Sequence, residues 1–262
     1  MRLFLALSLV LLGSAAGAQS LFRMDSAEDG RGWEAVGRLE IAGTAFCTGA
    51  LITPRLVLTA AHCLFDPETG DRVPVEDMQF LAGWRNGRAA AYRLVRKAVA
   101  HPEFAYGALA SSQRVRHDLA LIELQHPIRN TTITPFAVGH GPDTGDKVGV
   151  VSYARDRSEA PSLQETCGVL ARQEGMLVLS CSVDFGASGS PVFRLTGGAP
   201  QIVSVVSSKA EANGKPVALA SGLGAPLAAL QDALDADRDP GAGVDRLAAG
   251  MRRETGARFI RP

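Results

Sequence analysis

A chain of 262 residues with 46% hydrophobic side chains can bury a full core as one large or two small units. Its 27 basic and 27 acidic residues cancel to a formal net charge of zero, which argues against nucleic acid or an acidic membrane as partner. Heptads, internal repeats and low-complexity tracts are absent.

Met1-Arg2 supplies a positive start, Leu3 to Leu12 is an almost unbroken apolar run, and Ala16-Gly17-Ala18 offers small residues for a peptidase. This pattern predicts a signal peptide over 1–18, with Gln19 the first mature residue. The run is shorter than the roughly 20 residues of a spanning helix, and no later segment is long and apolar enough to span a bilayer. A secreted or periplasmic protein is expected. The four cysteines fit an oxidising compartment and allow three pairings. Their grouping, Cys47 with Cys63 and Cys167 with Cys181, suggests two local disulfide loops; buried free thiols are the alternative. No Cys-x-x-Cys or close Cys/His ligand spacing occurs, so no metal site is expected.

Residues 19–32 read as a polar lead-in. From Trp33 about a dozen short apolar runs follow at close spacing, with Gly, Thr or Pro between them. The early ones are Val36 to Ile41, Ala45 to Ile52, Leu56 to Leu58, Phe80-Leu81, Tyr92 to Val99 and Leu119 to Leu124. The later ones are Lys147 to Tyr153, Thr166 to Leu170, Met176 to Cys181, Pro191 to Leu195, Ile202 to Ser207 and Val217 to Ala220. Such spacing predicts an all-β antiparallel sandwich or barrel and excludes alternating βαβ units. Residues 127–142 are the best connection between two halves. Asp66 to Asp71 is acidic but lacks calcium-loop spacing, and reads as a surface turn. After Pro226, Leu227, Leu230 and Leu234 recur at helical spacing. The tail, 237–262, is arginine-rich and reads as solvated.

The chemistry gathers at Gly186-Ala187-Ser188-Gly189-Ser190-Pro191. Its glycines allow a tight turn that presents a hydroxyl while N–H groups converge beside it, as acyl transfer requires. A serine hydroxyl needs a base. Of the five histidines, His62 stands out, set in Thr59-Ala60-Ala61-His62-Cys63 at a strand end. Asp118 opens the apolar run Leu119 to Leu124, where a buried carboxylate needs a partner such as an imidazole N–H.

The three segments occur in the order His, Asp, Ser, and together they resemble the trypsin/chymotrypsin-like serine peptidases, closest to the secreted bacterial branch. The resemblance runs from Glu34 to Asp235. It implies two six-stranded antiparallel β-barrels, a C-terminal helix, and a peptidase domain over 33–236. It implies a triad of His62, Asp118 and Ser188, an oxyanion hole from the N–H groups of Gly186 and Ser188, a protein or peptide substrate, no cofactor, and a monomer. Ile202-Val203-Ser204 matches the substrate-pairing strand, with Ser204 near the aspartate. Ser182 matches the base of the primary specificity pocket, and Val203 and Val206 match its wall. These uncharged positions imply cleavage after small or medium apolar residues, unless Asp184 turns into the pocket. Ala187 replaces the family's zymogen-switch aspartate, so activation by a new N-terminus is not expected. A catalytically silent relative that binds proteins in the same cleft is the alternative, although no triad residue is lost.

Overall fold

The structure, a computed structural model, describes residues 21–107 and 111–236. The expected signal peptide and arginine-rich tail lie outside the described residues.

The chain begins with a two-residue strand, β1 (Phe22–Arg23). A first barrel then forms from β2 (Val36–Ile41), β3 (Ala45–Leu51), β4 (Leu56–Thr59), β5 (Met78–Ala82), β6 (Ala91–Ala100) and β7 (Ala120–Leu124). These six strands close in the order β2-β3-β4-β7-β6-β5, with every pairing antiparallel. Alternation drives the closure: β2 buries Val36, Leu39 and Ile41 and leaves Arg38 and Glu40 half-buried. A five-residue helix, α1 (Ser112–Arg116), precedes β7, capped by the Ser111 hydroxyl, which accepts from Arg114 N–H. So short a helix leaves no periodic signal in the sequence.

After β7 the chain crosses to the second half through β8 (Ala137–Val138), which lies within the expected connection. The second barrel comprises β9 (Lys147–Ser152), β10 (Ser162–Gln173), β11 (Met176–Leu179), β12 (Pro191–Arg194), β13 (Gln201–Ala212) and β14 (Lys215–Gly222). It closes in the order β9-β10-β11-β14-β13-β12 through antiparallel pairs, while β1 adds to β10 and β8 runs parallel to β13. Each of the twelve barrel strands falls on one of the apolar runs; only the two-residue strands β1 and β8 were not anticipated.

Trp33, Phe136 and Phe193 interlock where the halves meet, with ring centroids 4.7 to 5.8 Å apart. Disulfides join Cys47 to Cys63 and Cys167 to Cys181. The second ties β10 to the segment following β11, whose hairpin turns at Glu174–Gly175. A final helix, α2 (Gly224–Ala236), buries Leu227, Leu230 and Leu234 as the spacing predicted, and Lys97 Nζ on β6 donates to Leu234 O at 2.9 Å. The C-terminal helix therefore straps back onto the first barrel.

The segment read as a polar lead-in is bound to the body from Phe22 onward. Phe22 and Arg23 pair with Leu163 and Ser162, and Met24 is fully buried. Met24 N–H donates to Pro161 O at 2.9 Å, and Met24 O accepts from Arg85 Nε at 2.8 Å. One apolar residue among charged neighbours anchors it.

Candidate active site

His62 lies on a short 3-10 turn, Ala61–Leu64, directly after β4. Ala60 and Ala61 are fully buried, and their small side chains let the turn settle against the barrel, while the disulfide of Cys63 ties it to β3. Asp118 sits between α1 and β7 and is 3% exposed. Its carboxylate accepts three hydrogen bonds: from His62 Nδ1 at 2.7 Å, from His62 N–H at 2.9 Å, and from Ser207 Oγ at 2.5 Å. Burial pushes the Asp118 carboxyl up, but the His62 charge and these hydrogen bonds outweigh it and hold it below its ordinary value. The imidazole is therefore held through Nδ1, on the side away from Nε2.

Ser188 comes from the second barrel, on the loop before β12. Gly186 and Gly189 hold φ of +94° and +78°, in the left-handed region that favours glycine. A Cβ at Gly189 would collide with Thr48 O and the Thr59 hydroxyl, so the loop's backbone lies directly on the first barrel. Thr48 is the latch: its N–H donates to Ser188 O at 2.8 Å, and its Oγ1 donates to Gly186 O at 2.9 Å and accepts from Tyr153 N–H at 3.0 Å. Ala187 between them is fully buried. The N–H groups of Gly186 and Ser188 find no acceptor among the described residues. Nor does a hydrogen bond join Ser188 Oγ to His62 among the described residues; such contacts commonly tighten only with substrate.

His62, Asp118 and Ser188 share one cleft of about 680 Å³. Its apolar walls include Met176, Val183, Val206 and Leu219, and at its rim Lys209 Nζ meets Asp184 Oδ1 at 2.8 Å. Hydrogen bonds from Lys209 and from Phe185 N–H hold the Asp184 carboxyl below its ordinary value. Phe185, 57% exposed, lies between the Lys209 ammonium and the Arg155 guanidinium.

The structure corrects the expected register of β13. Ser207, not Ser204, reaches Asp118; Ser204 is fully buried and its Oγ donates to Ser221 O at 2.6 Å. Serines at 204, 207 and 208 make the register ambiguous in sequence, and a register shift against β14 between Val206 and Ser208 resolves it. Of the four pocket positions expected, Val206 lines the cleft. Val203 is fully buried in the second-barrel core, while Ser182 is exposed, its N–H donating to Gln164 Oε1 at 2.9 Å. Thr48 and Lys209 carried no local signal in the sequence. Their importance comes from what they touch across the cleft.

A family model described as Trypsin matches residues 24–223. The chain belongs to the trypsin family. A glutamyl endopeptidase of Bacillus licheniformis is 27% identical over 150 residues, which cover 56% of this chain and 45% of that protein. A mouse peroxisomal leader peptide-processing protease is 27% identical over 190 residues, 69% of this trypsin-family chain and 28% of the relative. Coagulation factor IX of Cavia porcellus is 25% identical over 130 residues, 48% and 43% of the two chains. The chain thus spans less than half the length of these curated relatives. A solved Glu endopeptidase superposes with a TM-score of 0.67 over 81% of this chain and 96% of that one, at 17% identity, a likeness of fold.

Proposed function

We propose that this trypsin-family chain is an exported serine endopeptidase that cleaves after small or medium apolar residues. The observation that carries the reading is the hydrogen bond from half-buried His62 to buried Asp118, a pair opening into the same cleft as Ser188. Ser188 Oγ attacks the scissile carbonyl while His62 Nε2 takes its proton, and Asp118 holds the imidazole's Nδ1–H and steadies the positive charge that forms. The oxyanion turns toward the N–H groups of Gly186 and Ser188, which Thr48 aligns by holding the carbonyls of the same two residues. His62 returns the proton to the leaving amine. Water then enters by the same route in reverse and frees Ser188 from the acyl-enzyme.

Substrate preference follows from the cleft walls. Val183, Val206 and Leu219 offer apolar contact. Asp184 does not stand as an unpaired anion for an arginyl side chain, because Lys209 already holds it. The same pair occupies the cation that a glutamyl side chain would seek, so the acidic preference in the Bacillus relative's name is not carried over. Two disulfides and the N-terminal pattern support export to an oxidising compartment. The test is fluorophosphonate labelling at Ser188 together with a peptide panel. Alanyl, valyl or leucyl substrates should exceed arginyl and glutamyl ones by at least about tenfold in kcat/KM, or about 1.4 kcal/mol. A glutamyl or arginyl preference would sink the specificity reading.

A further inference from the structure

One cluster of donor side chains has no part in the proposed chemistry. His101 follows β6 directly, Glu103 stands two residues on, and His117 ends α1 and precedes Asp118. Far apart as His101 and His117 are along the chain, their rings stack with centroids 4.6 Å apart and 4° between planes. Both residues are buried, at 5% and 7% exposure. His117 Nε2 faces Glu103 Oε2 at 3.6 Å, too long for a hydrogen bond, and His117 Nδ1 is buried without a partner. One donor atom from each of the three lies within 4.8 Å of the others. A second such group, Cys47, His62 and Cys63, is unsuited to a metal because its sulfurs are joined in a disulfide.

We propose that His101, Glu103 and His117 form a binding site for a zinc-like divalent metal, and that the bound ion restrains the neighbouring His62–Asp118 pair. Two imidazoles and a carboxylate are a donor set suited to zinc, with a fourth position left for water. Calcium and magnesium favour all-oxygen shells and are poorly served by it. To reach ligand bonds of about 2.0–2.2 Å, the three donors must draw together. The Glu103 side chain is 67% exposed and free to swing inward. The imidazoles must tilt out of their parallel stack, because their in-plane lone pairs have to converge on one ion. His101 also gives up the hydrogen bond that its Nδ1 accepts from Glu103 N–H at 3.2 Å, since a neutral metal-bound imidazole has no second acceptor.

That adjustment reaches the triad through the backbone. Leu119 N–H donates to His117 O at 2.8 Å, and His101 N–H donates to Leu119 O at 2.9 Å, so both ligands are stitched to Leu119, the residue after Asp118. Asp118 itself is held by contacts of 2.5 to 2.9 Å and has little slack. Drawing His117 toward His101 pulls Asp118 away from the imidazole it orients. Metal binding therefore slows turnover without blocking the cleft. The control rests on the peptidase reading; the binding site does not.

Zinc chloride titrated into the full chain carrying Ser188→Ala, followed by calorimetry, tests the site without turnover. One zinc per chain is expected, with affinity reduced at least tenfold by Glu103→Gln or His117→Asn and unchanged by His62→Ala. Zinc should lower kcat of the active chain with KM nearly unchanged, a chelator should restore it, and Glu103→Gln should keep basal activity while losing the inhibition. Glu103 is exposed, so that variant is expected to fold. Absence of zinc binding, or binding that survives Glu103→Gln and His117→Asn but vanishes in His62→Ala, would overturn the proposal. Zinc bound at these residues in a chain that hydrolyses nothing would sustain the site and remove the peptidase reading.

Discussion

The two barrels share a strand count and a closure, yet they hold their parts of the cleft differently. The first barrel places His62 just past the end of β4 and the buried Asp118 just before β7, beside strands joined by ladder hydrogen bonds and with a disulfide at the neighbouring Cys63. The second barrel offers Ser188 from a glycine-bearing loop whose shape depends on the first barrel through Thr48. In return it sends Ser207 across to Asp118. Each half stabilises the other's polar group. His62 and Asp118 are set by the structure of their own barrel, and Ser188 by a contact across the cleft.

The largest break in this comparison removes the nucleophile. Ser188→Ala should lower kcat by about 10⁶-fold and abolish fluorophosphonate labelling, with the thermal transition unmoved. On the first-barrel side, Asp118→Asn should cost about 10⁴-fold in kcat, because the amide favours the wrong imidazole tautomer; a loss under tenfold would deny Asp118 its orienting part.

Stability sharpens the contrast next. Met24→Ala should destabilise by about 2–5 kcal/mol, because a fully buried side chain leaves a cavity, while kcat well below the melting temperature stays near wild type. Denaturant unfolding that showed no change would mean the N-terminal segment only rests on β10. The smallest effect tests the latch. Thr48→Val preserves shape but leaves Gly186 O and Tyr153 N–H without their hydroxyl partner, at about 1–3 kcal/mol. Expressed in turnover, kcat should fall roughly 10- to 100-fold with KM little changed, and Thr48→Ser should recover most of it. A pure KM effect would make Thr48 a substrate contact instead.

Local pattern determined much of this protein. Short apolar runs between turn residues marked all twelve barrel strands, and three-four spacing marked α2, because each element has to bury apolar side chains and the sequence has to supply them. The grouping of cysteines anticipated both disulfides, since close partners along the chain are close in a hairpin or adjacent strands. The segments around His62, Asp118 and Ser188 were legible because glycine, small residues and an isolated carboxylate stand out against an apolar background. Tertiary structure decided what depends on partners distant in sequence. Only the fold shows that Ser207 rather than Ser204 reaches Asp118, because strand register decides which side chains face the cleft and an irregularity between Val206 and Ser208 sets it here. Only the fold joins Thr48 to the nucleophile loop, Asp184 to Lys209, and His101 to His117. Met24 belongs with these: its burial comes from a two-residue strand pairing with β10, too short to write a periodicity of its own.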